Sequence, residues 1–209
     1  MSAGQVPAIS GIPTGNTFDK YGSSNRVVRR LMAGFERAAG ELIDRAAPSS
    51  ILDVGCGEGV LTYKWADRLG DTEVVGLDLP DPKLEAEWRL RTHPNVRFVA
   101  GHAERLPFAE DEFELVTAIE TLEHIADPDR ALSELARVAR RHLLVSVPRE
   151  PLWRGLNVAR GAHVSRLGNT PGHVNHWSRR GLERLLAAHG ELVEVRTPFP
   201  WTMALVYVC

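Results

Sequence analysis

The sequence predicts an α/β fold, a mostly parallel sheet covered by helices and closed by an antiparallel hairpin at its C-terminal end. Three observations carry this. Short apolar runs alternate with amphipathic runs along most of the chain, which makes βαβ units, and right-handed crossovers then require parallel strands. Helix start and stop residues fall between the apolar runs. The last two apolar runs are too close together for a helix to fit between them, so they pair as a hairpin.

In chain order, residues 1–16 are rich in Gly, Pro, Ser and Thr without periodicity and read as a mobile arm. A helix follows with Ser24 as its cap, since Val27, Val28, Leu31, Met32, Phe35, Ala39, Leu42 and Ile43 recur at helical spacing. Pro48, Ser49 and Ser50 end it. The strands are read at Ile51–Val54, Glu73–Leu77, Val96–Ala100, Glu114–Ile119 and Leu143–Val147. Asp81-Pro82 and Asp127-Pro128 each place a capping carboxylate before a proline suited to the first helical turn. A helix over Ser178–His189 starts at its serine and stops at Gly190. Glu191–Arg196 and Met203–Val208 form the hairpin, with Pro198 and Pro200 between them. Residues 17–209 thus make one domain. The segment 148–177 fits neither strand nor helix; it follows a strand's C-terminal end, where open α/β sheets build their ligand crevice, and reads as a substrate lid.

Composition bounds the function. The 209 residues are 44% hydrophobic and 25% charged, an ordinary globular balance. No run approaches the ~20 apolar residues of a membrane span, and Met1–Gly15 is not a secretory signal, so no membrane partner is expected. Two cysteines, Cys56 and Cys209, make no disulfide framework and suit a reducing, cytoplasmic setting. A formal charge of −2 argues against a general polyanion binder. Lys20, Lys64 and Lys83 are the only lysines, a bias read as codon usage.

The chemistry begins at Leu52-Asp53-Val54-Gly55-Cys56-Gly57-Glu58-Gly59, which joins the first strand to a helix. Glycines at 55, 57 and 59 allow sharp turns and close approach to a ligand, and the helix start beyond offers unpaired N–H groups. The pattern is GxGxG behind an acid, not the GxGxxG of a dinucleotide fold. Asp53 would repel a pyrophosphate and suits a cationic amino-acid head. Asp78, at the C-terminal edge of the second strand, is placed to accept hydrogen bonds from vicinal ribose hydroxyls; alone it could equally cap the next turn.

With these residues the chain resembles the class I S-adenosylmethionine-dependent methyltransferases from about Phe18 to its end. The resemblance implies a Rossmann-like three-layer sandwich with a seven-stranded sheet, and S-adenosyl-L-methionine as cofactor. It places Asp53, Gly55, Cys56, Gly57 and Gly59, then Asp78 and Leu79, then His102, Ala103 and Glu104, and finally Ile119 around that cofactor. The segment Gly101 to Phe108 matches the family's third cofactor segment, with His102 where Asp is usual, which leaves the Ala103 N–H to serve the adenine ring. By the same resemblance Phe18-Asp19-Lys20-Tyr21 could fold over the cofactor.

Methyl transfer from a sulfonium needs an acceptor atom placed in line and, for a hydroxyl, a base or a metal. If the chain is helical from Glu120, then Glu120, Glu123 and His124 share one face. Two carboxylates and an imidazole could hold Mg²⁺, Mn²⁺ or Zn²⁺. The arrangement is similar to the E-x-x-E-H motif of ubiquinone-type O-methyltransferases and of small-RNA 2′-O-methyltransferases, and the latter adds a later histidine. Here that histidine is His173, with His176 the alternative. Equally, Glu123 and His124 could cap a short helix, and His124, His173 or His176 could be a general base without metal.

The lid carries Arg149, Trp153, Arg154, Asn157, Arg160, His163 and Arg166, suited to an anionic or aromatic acceptor or to a solvated excursion. Trp65 and Trp88 read as packing residues. The expected activity is methyl transfer to a small-molecule hydroxyl such as a phenol, catechol, quinone precursor or sugar, with nitrogen and carbon acceptors open. The rival readings are an RNA ribose methyltransferase, favoured by arginines at 137, 140, 141, 149 and 154, and a non-catalytic binding protein. Oligomeric state is not legible.

Overall fold

The computed structural model describes residues 24–208. The arm at 1–16, Phe18 to Tyr21 and Cys209 lie outside the described residues. Seven strands form one sheet: β1 Ser50–Val54, β2 Glu73–Asp78, β3 Val96–Ala100, β4 Phe113–Ile119, β5 Ala139–Pro148, β6 Glu191–Arg196 and β7 Trp201–Tyr207. Their order is β3-β2-β1-β4-β5-β7-β6. All neighbours run parallel except β7, which is antiparallel to both β5 and β6. The expected mostly parallel sheet with a C-terminal antiparallel hairpin is therefore the fold.

Helices α1 Arg26–Ala46, α2 Val60–Leu69, α3 Pro82–Leu90, α4 Pro128–Val138, α5 Leu152–Ala159 and α6 Arg179–Leu186 complete it. Alternate strand residues feed two cores. Ile51, Val74, Leu115, Leu144 and Leu205 pack under α1 and α2. Leu52, Val75, Val116, Leu143 and Val206 pack under α4 and α6. Burial on both faces explains why these strands read as continuous apolar runs rather than as alternation. Among the described residues no helix is long and apolar enough to cross a membrane.

The aspartate caps stand where expected, with Asp81 accepting from the Lys83 N–H at 2.8 Å and Asp127 from the Arg130 N–H at 3.1 Å. Ser178 likewise caps α6 through the Gly181 N–H at 3.2 Å. Three expectations are corrected. The cap of α1 is Asn25, not Ser24, because the Asn25 side-chain oxygen accepts the Val27 N–H at 2.9 Å. Helix α6 stops at Leu186, short of Gly190, whose role is different: a Cβ there would run into the Tyr207 carbonyl. The segment 148–177 is not irregular throughout, since it contains α5 and a 3₁₀ turn at Val164–Arg166.

Candidate active site

The glycine loop leaves the C-terminal end of β1 and is fastened from several sides. Gly55 and Cys56 both donate to the Leu77 carbonyl, at 2.7 and 3.1 Å. Gly55, Gly57 and Gly59 have φ of +76°, +55° and +79°, values that an L side chain rarely adopts. At Gly55 space is short as well, since a Cβ would overlap the Thr121 side chain. Gly59 is the N-cap of α2. The Cys56 thiol is pushed well above its ordinary pKa, first by burial and then by Asp53 and Asp78, which keeps it protonated.

Asp53 is 2% exposed and stands beneath the loop, where Thr62 donates to it at 2.7 Å and Thr117 at 3.0 Å. Burial outweighs these two hydrogen bonds and raises its pKa to about 7. Asp78 stands at the end of β2 and holds two backbone donors, Gly57 N–H and Leu79 N–H, each at 2.7 Å. Its pKa is raised by burial, against the pull of those two N–H groups. Beyond β3, Ala103 packs on the core while His102 is exposed and accepts the Arg105 N–H through its carbonyl at 3.0 Å. Glu104 turns to α4 and accepts the Asp127 N–H at 3.2 Å. Ile119, 7% exposed, closes β4 beside the loop.

Trp88 packs as its sequence context predicts, and it does more. Its indole N–H donates to the Gly57 carbonyl at 2.8 Å, while its ring stacks on Phe98 at 5.0 Å. Gly57 is thus held at its N–H by Asp78 and at its carbonyl by α3. A tryptophan in an amphipathic helix carries no local signal for such a bond.

After β4 the chain departs from the helix expected at Glu120. Glu120 has φ +55°, and a 3₁₀ turn begins only at Leu122. The Glu120 carboxylate consequently faces the sheet, accepting from Ser146 Oγ at 2.8 Å and from Trp201 Nε1 at 2.7 Å. It does not join Glu123 and His124. That pair instead meets His173, the ligand atoms of all three lying within 4.8 Å of one another. His124 and His173 meet edge to face at 4.9 Å, and Trp153 lies over His173 at 6.3 Å. His124 Nδ1 is 3.0 Å from the Gly172 carbonyl. His176 is elsewhere, exposed, with Nε2 2.7 Å from Asn169 Oδ1.

The segment 148–177 reaches this cluster because its later part is tied to the 3₁₀ turn. Val174 and Asn175 N–H groups donate to the Glu123 carbonyl at 2.8 and 3.2 Å. The Asn175 amide adds bonds to the Leu122 and Ile125 carbonyls at 3.2 and 2.6 Å. Nothing in the sequence around Asn175 marks this role, which depends on the fold bringing it to residues 122–125. Two imidazoles and one carboxylate suit a borderline ion such as Zn²⁺ or Mn²⁺ better than Mg²⁺, which prefers oxygen alone. The cluster is joined to the glycine loop through Thr121, whose hydroxyl donates to the Val54 carbonyl at 3.1 Å.

The chain is similar to known methyltransferases. Residues 52–144 match the family model described as a methyltransferase domain. The chain is 36% identical over 104 residues to the methyltransferase GfsG of Streptomyces halstedii, covering 48% of this chain and 37% of that protein. It is 32% identical over 149 residues to a demethylmenaquinone methyltransferase of Roseiflexus castenholzii, covering 62% and 63%. The chain thus spans between about a third and two thirds of the length of these relatives. A solved structure, the PH0226 protein of Pyrococcus horikoshii, shares the fold with a TM-score of 0.67 at 18% identity, over 92% of this chain and 97% of that one.

Proposed function

Since the chain belongs to the class I S-adenosylmethionine-dependent methyltransferases, we propose that it transfers the methyl group to a hydroxyl of a small, phenol- or quinol-like acceptor. The Gly55–Gly59 loop and Asp78 hold the donor, with Asp53 placing negative potential beneath its ammonium. The acceptor enters under the lid, beside Glu123, His124 and His173. The observation that carries this reading is the convergence of those three side chains next to Thr121 and the glycine loop. The name of the Roseiflexus relative favours a quinone-type acceptor.

The reaction balances simply. An acceptor oxygen lone pair forms the new O–C bond, the C–S bond breaks, and its electron pair neutralises the sulfonium to S-adenosylhomocysteine. The hydroxyl proton passes to a histidine of the cluster, His173 or His124. In place of a histidine base, Glu123, His124 and His173 would hold a divalent cation, whose Lewis acidity would lower the acceptor pKa. Much of the acceleration then comes from alignment and from excluding water beneath the lid.

The test is calorimetry on chelator-treated protein with S-adenosylhomocysteine present, titrating Zn²⁺ and Mn²⁺ into wild type and His173→Ala. Stoichiometric binding lost in the variant supports a metal-assisted transfer. Absence of binding in the wild type refutes it and leaves histidine base catalysis, read as a pH-dependent rate abolished in His173→Ala. Loss of S-adenosylhomocysteine binding in Asp78→Ala tests the donor site separately.

A further inference from the structure

Charge and exposed apolar groups are not spread evenly over this molecule. The chain carries −2 overall, yet from Pro151 to Ser178 it has three arginines and no Asp or Glu. From Arg26 to Phe35 it again has three arginines and no acid. The guanidinium groups of Arg26, Arg29, Arg30, Arg160 and Arg166 make no ion pair among the described residues. These stretches and the β6–β7 loop hold most of the large apolar side chains that face solvent among the described residues. Val27, Val158, Val164, Leu167, Val174 and Phe199 are between 44% and 73% exposed, and only Leu90 and Tyr207 match them elsewhere among the described residues.

The fold brings these stretches to one rim. Helix α1 begins, and the lid and the β6–β7 loop stand, at the end of the sheet where the parallel strands finish. The lid meets the β6–β7 loop through the Arg149 N–H and the Pro200 carbonyl at 3.0 Å. Phe199 of that loop shares a groove of about 630 Å³ with Arg26, Val27, Arg30 and Arg37 of α1. Val174, at the lid's other end, is bonded to Glu123 within the candidate site. The basic and apolar rim therefore borders the mouth through which an acceptor enters.

We propose that this rim is a peripheral docking surface for an anionic phospholipid bilayer, with the mouth of the site turned to the lipid. Arginines beside exposed aliphatic and aromatic groups complement such a surface, since the guanidinium meets phosphate while the apolar groups enter between headgroups. The apolar groups are scattered over two helix ends, the turn at 164–167 and two loops. That spacing suits a bilayer, which demands no matching shape, better than a single acidic helix, which needs a continuous seam. That no helix among the described residues is long and apolar enough to cross a membrane is no obstacle, because a peripheral contact needs none. One consequence rests on the methyl transfer proposed above: the acceptor is a lipid-soluble molecule with a long apolar tail, taken from the membrane.

The experiment is co-sedimentation of the full chain with sucrose-loaded vesicles, without acceptor, so that it reads docking independently of catalysis. Vesicles of phosphatidylglycerol and phosphatidylcholine in equal parts are compared with phosphatidylcholine alone. The expected partition is at least tenfold greater on the anionic vesicles, and it falls at least fivefold on raising salt from about 0.05 to 0.5 M. Arg160→Glu with Arg166→Glu, and separately Leu167→Ser with Val164→Ser, each lower it about tenfold while S-adenosylhomocysteine binding is kept as the folding control. Equal partition on both vesicles, or none on either, overturns the proposal. Saturable binding of the wild type to an acidic helical peptide in place of vesicles would likewise overturn it in favour of a protein partner. The wild-type vesicle and salt comparisons decide the matter even if a variant fails to fold.

Discussion

Asp53→Asn isolates the proton held under the glycine loop. In the folded chain Asp53 keeps its proton up to about pH 7, whereas the ordinary carboxyl value is 3.8. Between those values the folded state binds the extra proton, so the contribution is fully present below about pH 4 and is lost as pH rises through 7. The difference is on the order of 4 kcal/mol in all, of which about 2–3 kcal/mol disappears between pH 5 and 8. Asparagine has the same shape, can still bond Thr62 and Thr117, and does not titrate. Urea unfolding of wild type and variant at pH 5, 6, 7 and 8 therefore shows Asp53→Asn gaining on the wild type as pH climbs, by about 2–3 kcal/mol over that range. Asp78 titrates in both proteins, so the comparison cancels most of its effect. A stability difference that stays flat within about 0.5 kcal/mol from pH 5 to 8 refutes the reasoning, because it would mean that Asp53 is already ionised. Bound ammonium reverses the sign of the local preference, so donor binding at pH 6 releases protons in the wild type and not in the variant, as calorimetry in two buffers would read.

Two further outcomes follow from the loop's fastenings. Trp88→Phe keeps the ring on Phe98 but removes the N–H to Gly57, and is expected to weaken S-adenosylhomocysteine binding about fivefold with kcat nearly unchanged; an unchanged dissociation constant would make Trp88 a packing residue after all. Gly55→Ala meets both a φ of +76° and the Thr121 side chain, so it lowers unfolding stability by about 1–3 kcal/mol or more, while Gly155→Ala, with open space around its Cβ, is the thermal-melt control.

Sheet and helices were legible because their signals are local: apolar runs, Asp-Pro caps, and too few residues for a helix before β7. The glycine loop and Asp78 were legible for the same reason, as glycines at fixed spacing and an acid at a strand end. Glu120 was misplaced because its sequence neighbours favour a helix. The residues that turn it toward the sheet are Ser146 and Trp201, the latter 81 positions away. His173 and His176 look alike in sequence, and they part only because the Asn175 amide and two backbone N–H groups anchor the intervening turn to residues 122–125. Helix α5 is hidden in the sequence between prolines and glycines that resemble a loop.

Strand β7 is last in chain order among the described strands, yet it lies inside the sheet, between β5 and β6. During synthesis, β6 emerges before the strand that will connect it to the rest, and it must wait unpaired. Trp201, at the start of β7, then brings the indole that holds Glu120. A chain cut short of this point would be left with an open sheet edge at β5 and an unsecured Glu120 carboxylate beside the glycine loop.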